Sequence, residues 1–343
     1  MGRWKHRPEG SNWGDFGPDD QIGRLNLLTP AKVLQGIAEV RDGRSFCLSL
    51  PLDLPGGNLL NNARHPPQRF ATRSPDGTDR YLLRLADMNA DFYDVVNDDR
   101  VILHTQYSTQ WDALAHVGAE FDADGDGVAE KVFYNGWRGG EHIAPGAPCD
   151  DCGDLTGVEA TRLGVETMAE TCVQGRAVMI DLHAAYGDAH LDVDFAGLSE
   201  AMTAQNVTVE SGDMVCFHTG FGHKIMNMAG APDNAVLHGS CTALEGRDPL
   251  LQEWIRDSGV VALIADNYAV ERVPSRSGSG KRPFLPLHQL CLFKLGVPLA
   301  ELWWLTDLAN YLRAAGRTRF LLTAPPLRLP GAVGSPVTPV ATV

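Results

Sequence analysis

Fourteen consecutive residues, His104-Thr105-Gln106-Tyr107-Ser108-Thr109-Gln110-Trp111-Asp112-Ala113-Leu114-Ala115-His116-Val117, gather a carboxylate, two imidazoles, two carboxamides, several hydroxyls and a phenol. A core segment has difficulty satisfying so many polar groups, so the stretch reads either as a solvated strand end or as a reactive site. Asp112 and His116 stand four apart, and on a helix they share one face. Such a pair can act on one substrate as orienting carboxylate and general acid/base. Gln106 and Gln110 can donate N–H bonds to an oxyanion, and Tyr107 and Trp111 can wall a planar substrate.

The surrounding elements alternate. Val101-Ile102-Leu103-His104-Thr105-Gln106 reads as the strand leading into this segment, with His104 and Gln106 on one side of it. Earlier, Thr29-Pro30 is an N-cap and first turn for a helix, Ser45 to Leu50 is a strand, and residues 53 to 80 form a long loop expected near the site. Later come a helix around Val158 to Cys172, the strand Ala177 to Leu182, a helix capped by Asp194, the strand Asp213 to Phe217, a helix from Pro249 to Asp257, and strands from Val260 and Arg319. This alternation argues α/β in one continuous domain. His218 and His223 flank Thr219-Gly220 after a strand and are candidate substrate contacts. His288 is a pocket candidate, although a structural hydrogen bond is the favoured explanation of it, and Asp266 and Glu271 read as pocket acids or as partners of Arg272 or Arg276.

Composition narrows the function classes. The chain has 343 residues, 44% hydrophobic and 21% charged, with a formal charge of −14. That balance excludes disordered and fibrous classes and disfavours nucleic acid or an anionic membrane as partner. Neither a signal-like start nor a long apolar run is present, so a cytoplasmic address is expected. The seven cysteines fit reduced thiols better than a disulfide framework. Cys149 and Cys152 form a lone C-x-x-C without further ligands at zinc spacing, and Asp122 to Gly127 begins like a calcium loop but has Phe133 where the bidentate glutamate belongs, so a hairpin tip is expected. G-x-S-x-G, G-x-G-x-x-G, P-loop and H-E-x-x-H motifs are all missing.

The polar segment resembles the H-x-G-T-H-x-D-x-x-x-H signature of the cyclase family, the kynurenine formamidase-like or isatin hydrolase-like proteins, in a long branch that carries T-Q-W-D-x-x-x-H. Trp13-Gly14, Pro18 to Gly23, Tyr134-Asn135-Gly136, Thr219-Gly220, Ala265-Asp266-Asn267, Ala269-Val270-Glu271, Pro286-Leu287-His288, Ala324-Pro325-Pro326 and Gly334 to Val337 extend the resemblance along nearly the whole chain. It implies a swivelling β/β/α fold in a single domain over residues 1–343, with an N-terminal arm and lid loop to residue 100 and a catalytic core from 101. A homodimer or homotetramer and a small-molecule substrate are implied as well.

By the same resemblance the family's first two signature histidines fall on Gln106 and Gln110, its metal-bridging aspartate on Asp112 and its acid/base histidine on His116. The later ligand pair, a histidine followed twelve residues on by a glutamate, falls on His238 and Leu250. Carboxamides are poor zinc ligands and leucine is none, so a two-metal centre is not expected. Two states remain: one zinc or manganese ion on Asp112 and His238 with weaker oxygen donors, His104 being a substitute donor, or no metal, which is preferred. The implied activity is hydrolysis of a cyclic amide, lactone or formamide. A metal-independent cyclase, dehydratase or isomerase using the same pair is the alternative, and a non-catalytic small-molecule binder is the third reading.

Overall fold

The computed structural model describes residues 2–149 and 155–343, so Cys152 of the C-x-x-C lies outside the described residues. In chain order, the central sheet is made of β1 (Ser45–Cys47), β2 (Gln110–Asp112), β3 (Gln174–Asp181), β4 (Met214–His218), β5 (Ala262–Ala265), β6 (Leu299–Glu301), β7 (Arg319–Thr323), β8 (Gly334–Pro336) and β9 (Val340–Thr342). Their spatial order is β1-β9-β7-β3-β4-β5-β6-β2-β8. From β3 to β6 the neighbours run parallel, and every pair outside that block is antiparallel. The expected α/β class and cyclase-type fold are both observed.

The parallel block is built from uninterrupted apolar runs because both of its faces are covered. Val178, Ile180, Val215, Phe217, Leu263 and Ala265 point into one apolar layer; Ala177, Met179, Met214, Cys216, Ala262 and Ile264 point into the other. Truncating a side chain such as Phe217, 1% exposed, to alanine costs about 3–5 kcal/mol. Local signals set the helices. The Thr29 side chain accepts from Lys32 N ahead of the helix Pro30–Ala38, and Asp194 accepts from Gly197 N ahead of Phe195–Ala204.

Three expectations differ from the structure. Residues 103–109 are turns, and the strand before them, Asp99–Ile102, is wholly exposed in a two-stranded ribbon with Gln68–Ala71. The segment around Val158 is a strand, Leu155–Ala160, and the helix after it is short, Val165–Glu170. Both differences arise from apolar residues (Val101, Ile102, Val158) that remain exposed at 51–60%. Finally, Asp112 ends a strand, so its proximity to His116 comes from the turn that follows rather than from helical spacing. Asp122 to Gly127 does form a hairpin tip, between Ala119–Phe121 and Glu130–Val132. No helix among the described residues is long and apolar enough to cross a membrane.

Candidate active site

Register builds the site. β2 and β6 run antiparallel with Asp112 opposite Leu299 and Gln110 opposite Glu301. Since side chains alternate, Gln110, Asp112 and Glu301 share one face while Trp111 lies on the other. Gln110 Nε2 sits 3.3 Å from Asp112 Oδ1 and 3.4 Å from Glu301 Oε2, so the carboxamide N–H groups bridge the two carboxylates. The third component, His288, enters from the helix Pro286–His288, which continues as a π-helical turn over Gln289–Leu295. Its Nε2 is 3.3 Å from Glu301 Oε1 and 3.9 Å from Asp112 Oδ2. Ligand-type atoms of Asp112, His288 and Glu301 lie within 4.8 Å of one another, and all three residues are buried.

Glu271 fixes the imidazole. Its carboxylate accepts from Leu287 N and His288 N, capping the helix start, and lies 2.9 Å from His288 Nδ1. Of the two readings of Glu271, the geometry matches the pocket acid rather than a partner of Arg272 or Arg276. Backbone strain accompanies both glutamates: Ala269 and Val270 before Glu271, and Leu302 after Glu301, have φ of 76°, 60° and 58°. Left-handed backbone is costly for a β-branched residue such as Val270 and concentrates at sites where geometry is imposed.

The electrostatics are unbalanced. Asp112, Glu271 and Glu301 are 0–3% exposed, with His288 as their buried basic partner. Burial raises the Asp112 carboxyl above its usual range, opposed by the charges of His116 and His288. Burial works the same way on Glu301, but the hydrogen bond and charge of His288 outweigh it, and that carboxyl is lowered. For His288 burial is overcome by its hydrogen bonds to Glu271 and Glu301, which push the imidazole up to about 10. Two buried acceptors, Asp112 Oδ2 and Gln110 Oε1, have no hydrogen-bond partner.

His116 stands at the rim, its side chain 21% exposed and its Nε2 3.8 Å from Asp112 Oδ1. That distance is too long for a direct hydrogen bond. Asp112 therefore does not hold the His116 tautomer as expected; instead the imidazole faces the Asp112 side of the cluster. Gln106 has a buried Nε2 without a partner, and its side chain occupies the space a Cβ on Gly334 would fill, 2.4 Å away. Gly334 pairs with Asp112 in the sheet, which puts Gln106 beside the cluster. Gln110, by contrast, commits its N–H groups to two carboxylates and is a bridge rather than an oxyanion donor.

A narrow cavity lined by Gly57, Asn61, Arg64, Gln106, Tyr107 and Tyr268 adjoins these groups. The loop forming its outer wall is tied down by Tyr107 Oη to Gly57 O (2.9 Å), Asn61 Nδ2 to Tyr268 Oη (3.0 Å) and Arg64 Nη1 to Gln106 O (2.8 Å). Part of the long loop thus reaches the site, as expected, and Tyr107 is one of its walls.

Other expected residues go elsewhere. Trp111 is 0% exposed, donates to Ala324 O and packs edge-on against Trp303 on the opposite face of the sheet. His104 is exposed against His65, since no strand aligns it with Gln106. His223 bonds Asn227 and stacks near Trp304. Buried at the end of β4, His218 binds Asp181 (2.8 Å) and Thr306 (3.3 Å), while Asp266 accepts from Thr219 and Gly220. His238 is exposed on the helix Asn234–Gly239, where its Nε2 meets Leu59 O, so it ties the loop and is no partner of Asp112. Glu301 escapes sequence reasoning altogether. A signal for it exists: His288 and Glu301 are thirteen apart, one more than the spacing that leads to His238 and Leu250.

The sequence profile of the cyclase family matches residues 48–272, and the chain belongs to that family. A solved structure described as a novel cyclase is 29% identical, with a TM-score of 0.74 and 97% of each chain covered. Isatin hydrolase A from Ralstonia solanacearum shares the fold at 15% identity, TM-score 0.54, covering 91% of this chain and 97% of its own. Isatin hydrolase A from Labrenzia aggregata, solved with benzyl benzoate, does so at 11% and 0.52, with coverages of 91% and 97%. A search of curated proteins finds no significant match.

Proposed function

We propose that the protein is a hydrolase that opens a cyclic amide, lactone or formamide at its carbonyl, using a single divalent cation held by Asp112, Glu301 and His288. What carries this reading is the cluster of two carboxylates and one imidazole with an orphaned Asp112 Oδ2, next to the rim imidazole of His116. The donor set fits such an ion. Two carboxylate oxygens and one nitrogen suit zinc or manganese, and with Glu271 accepting from His288 Nδ1, loss of the Nε2 proton to an incoming cation would free a lone pair at the same point. A cation would also offset the surplus of buried negative charge.

Bound there, the ion would act as a Lewis acid toward the carbonyl and its attacking water. The chain's own groups do the rest. His116 Nε2 takes the proton from water as its oxygen bonds to the carbonyl carbon. Gln106 Nε2 donates to the oxygen that gains negative charge. When the carbon–nitrogen or carbon–oxygen bond breaks, His116 returns the proton to the leaving atom, and a carboxyl product departs.

A second reading rests on the 3.3 Å separation of His288 Nε2 and Glu301 Oε1, which completes the imidazole's hydrogen bonding without a cation. A metal-independent cyclase, dehydratase or isomerase would then use His116 alone. Turnover of a panel of lactams, lactones and formamides in heavy-oxygen water separates the two. One labelled oxygen per product and a loss of about 10²–10⁴-fold in kcat for His116→Ala are expected; unlabelled product, or a fully active His116→Ala protein, would refute the hydrolase.

A further inference from the structure

A second cavity, of about 260 Å³, opens where β3 ends. Its floor is apolar, built from the buried side chains of Met179, Ala309 and Leu312, while Asp181, Arg313 and Arg317 supply its charges. Met179 packs in the same apolar layer as Trp111, which places this cavity across the sheet from the Asp112 cluster.

Most polar groups around it are already matched. One Asp181 oxygen accepts from Ala184 N and faces His218 Nδ1, and the other pairs with Arg313. The Asp181 backbone N–H and C=O are both met by the Gln205 carboxamide. Arg313 gives a further nitrogen to Asn310. Arg317 differs: its Nη2 donates to Glu39 O, but its Nη1 is buried with no hydrogen-bond partner among the described residues, and Asp42 Oδ2 stands 3.8 Å away. A buried donor is normally satisfied, so this one calls for an acceptor from outside the chain.

The unmet capacity is therefore of one kind, a positively charged N–H donor beside an apolar floor. It suits an oxyanion attached to an apolar body. A phosphate brings more charge and more acceptor oxygens than one free guanidinium nitrogen can meet, since Arg313 is already held by Asp181, whereas a carboxylate does not. The volume lies just below the roughly 300–1,000 Å³ of drug-sized sites, so the body is a single ring or a short chain.

We propose that this cavity binds a small monocarboxylate, its carboxylate against Arg317 Nη1 and its apolar body on Ala309 and Leu312. The site stands apart from the Asp112 cluster and does not depend on what that cluster does. Calorimetric titration of chelator-treated protein with benzoate, phenylacetate and hexanoate, with amide signals followed by nuclear magnetic resonance, tests it. One acid per chain should bind and move the signals of 181–184 and 313–318 rather than those of 106–116. Benzyl alcohol, which has the ring without the charge, should bind about 10-fold more weakly or worse, as should benzoate to Arg317→Gln. Ala184→Phe, which fills the cavity from an exposed position at its edge, should abolish binding. No binding of any of the three acids at millimolar concentration, shifts confined to 106–116, undiminished affinity in either variant, or tighter binding of phenyl phosphate would overturn the proposal. Should Arg317→Gln fail to fold, Ala184→Phe and the comparison with benzyl alcohol decide.

Discussion

Two charge clusters in this protein each bury an aspartate completely but differ in how its charge is met. Around Asp213, Lys32 Nζ donates at 2.8 Å, Arg176 at 2.9 Å through two nitrogens, and Glu210 N at 2.7 Å, while the Glu210 carboxylate pairs with Lys32, Arg176 and, at 3.8 Å, Arg319. Every Asp213 oxygen is engaged, and the cluster joins the helix Pro30–Ala38 to β3. Around Asp112 three buried acids face one buried imidazole, with His116 and Arg64 acting on them from the rim, and acceptor atoms remain without donors. A satisfied cluster is structural; an imbalance held in place by strained backbone marks groups arranged for something that is not part of the chain.

Mutation should separate the two. Asp213→Asn leaves Lys32 and Arg176 buried against too little negative charge, and denaturant unfolding should show a loss of about 3–5 kcal/mol, with activity per folded molecule unchanged. Asp112→Asn in chelator-treated protein should be neutral or slightly stabilising, because it removes one of three crowded acids. If both substitutions destabilised equally, the contrast would be lost.

A smaller effect is expected one step out from the proposed ligands. Glu271→Gln keeps an acceptor for His288 Nδ1 but weakens its hold, and cation affinity measured by calorimetry should fall about 10–100-fold. Unchanged affinity would make Glu271 a helix cap only.

The smallest effect concerns the pair His218 and Asp181, which belongs to neither cluster. Burial lowers the His218 imidazole, but its hydrogen bond to Asp181 and nearby acids outweigh this and raise it; Asp181, desolvated but bonded to His218, is lowered. The His218 contribution is therefore complete below its ordinary titration range and fades as pH rises through its raised native value. That of Asp181 is present above the ordinary carboxyl range and fades as pH falls through its lowered value. The stability difference between wild type and His218→Gln should be greatest between those limits, about 1 kcal/mol, and shrink on either side. A pH-independent difference would reduce the pair to packing.

How much of the fold and site can be read from sequence follows the range of the interactions. Thr29 and Asp194 announce their helices because a cap needs only its own first turn. The parallel strands are apolar throughout and identify themselves. Asp112 and His116 are readable from spacing and from the family signature. Glu301, however, sits in the apolar run Leu299-Ala300-Glu301-Leu302-Trp303 and gains its role only from the register that sets it opposite Gln110. Trp111 falls on the unexpected face for the reverse reason, since sequence proximity to Asp112 says nothing about alternation across a strand. Val101 and Ile102 have the pattern of core residues yet stay exposed.

Titration of chelator-treated protein with Mn²⁺ or Zn²⁺, followed by calorimetry and by thermal unfolding, is the most direct test. One cation per chain, a raised melting temperature, and loss of both in Glu301→Gln are expected. No binding in a fully folded protein that still turns over its substrate in chelator would contradict the assignment of Asp112, His288 and Glu301 as a metal centre.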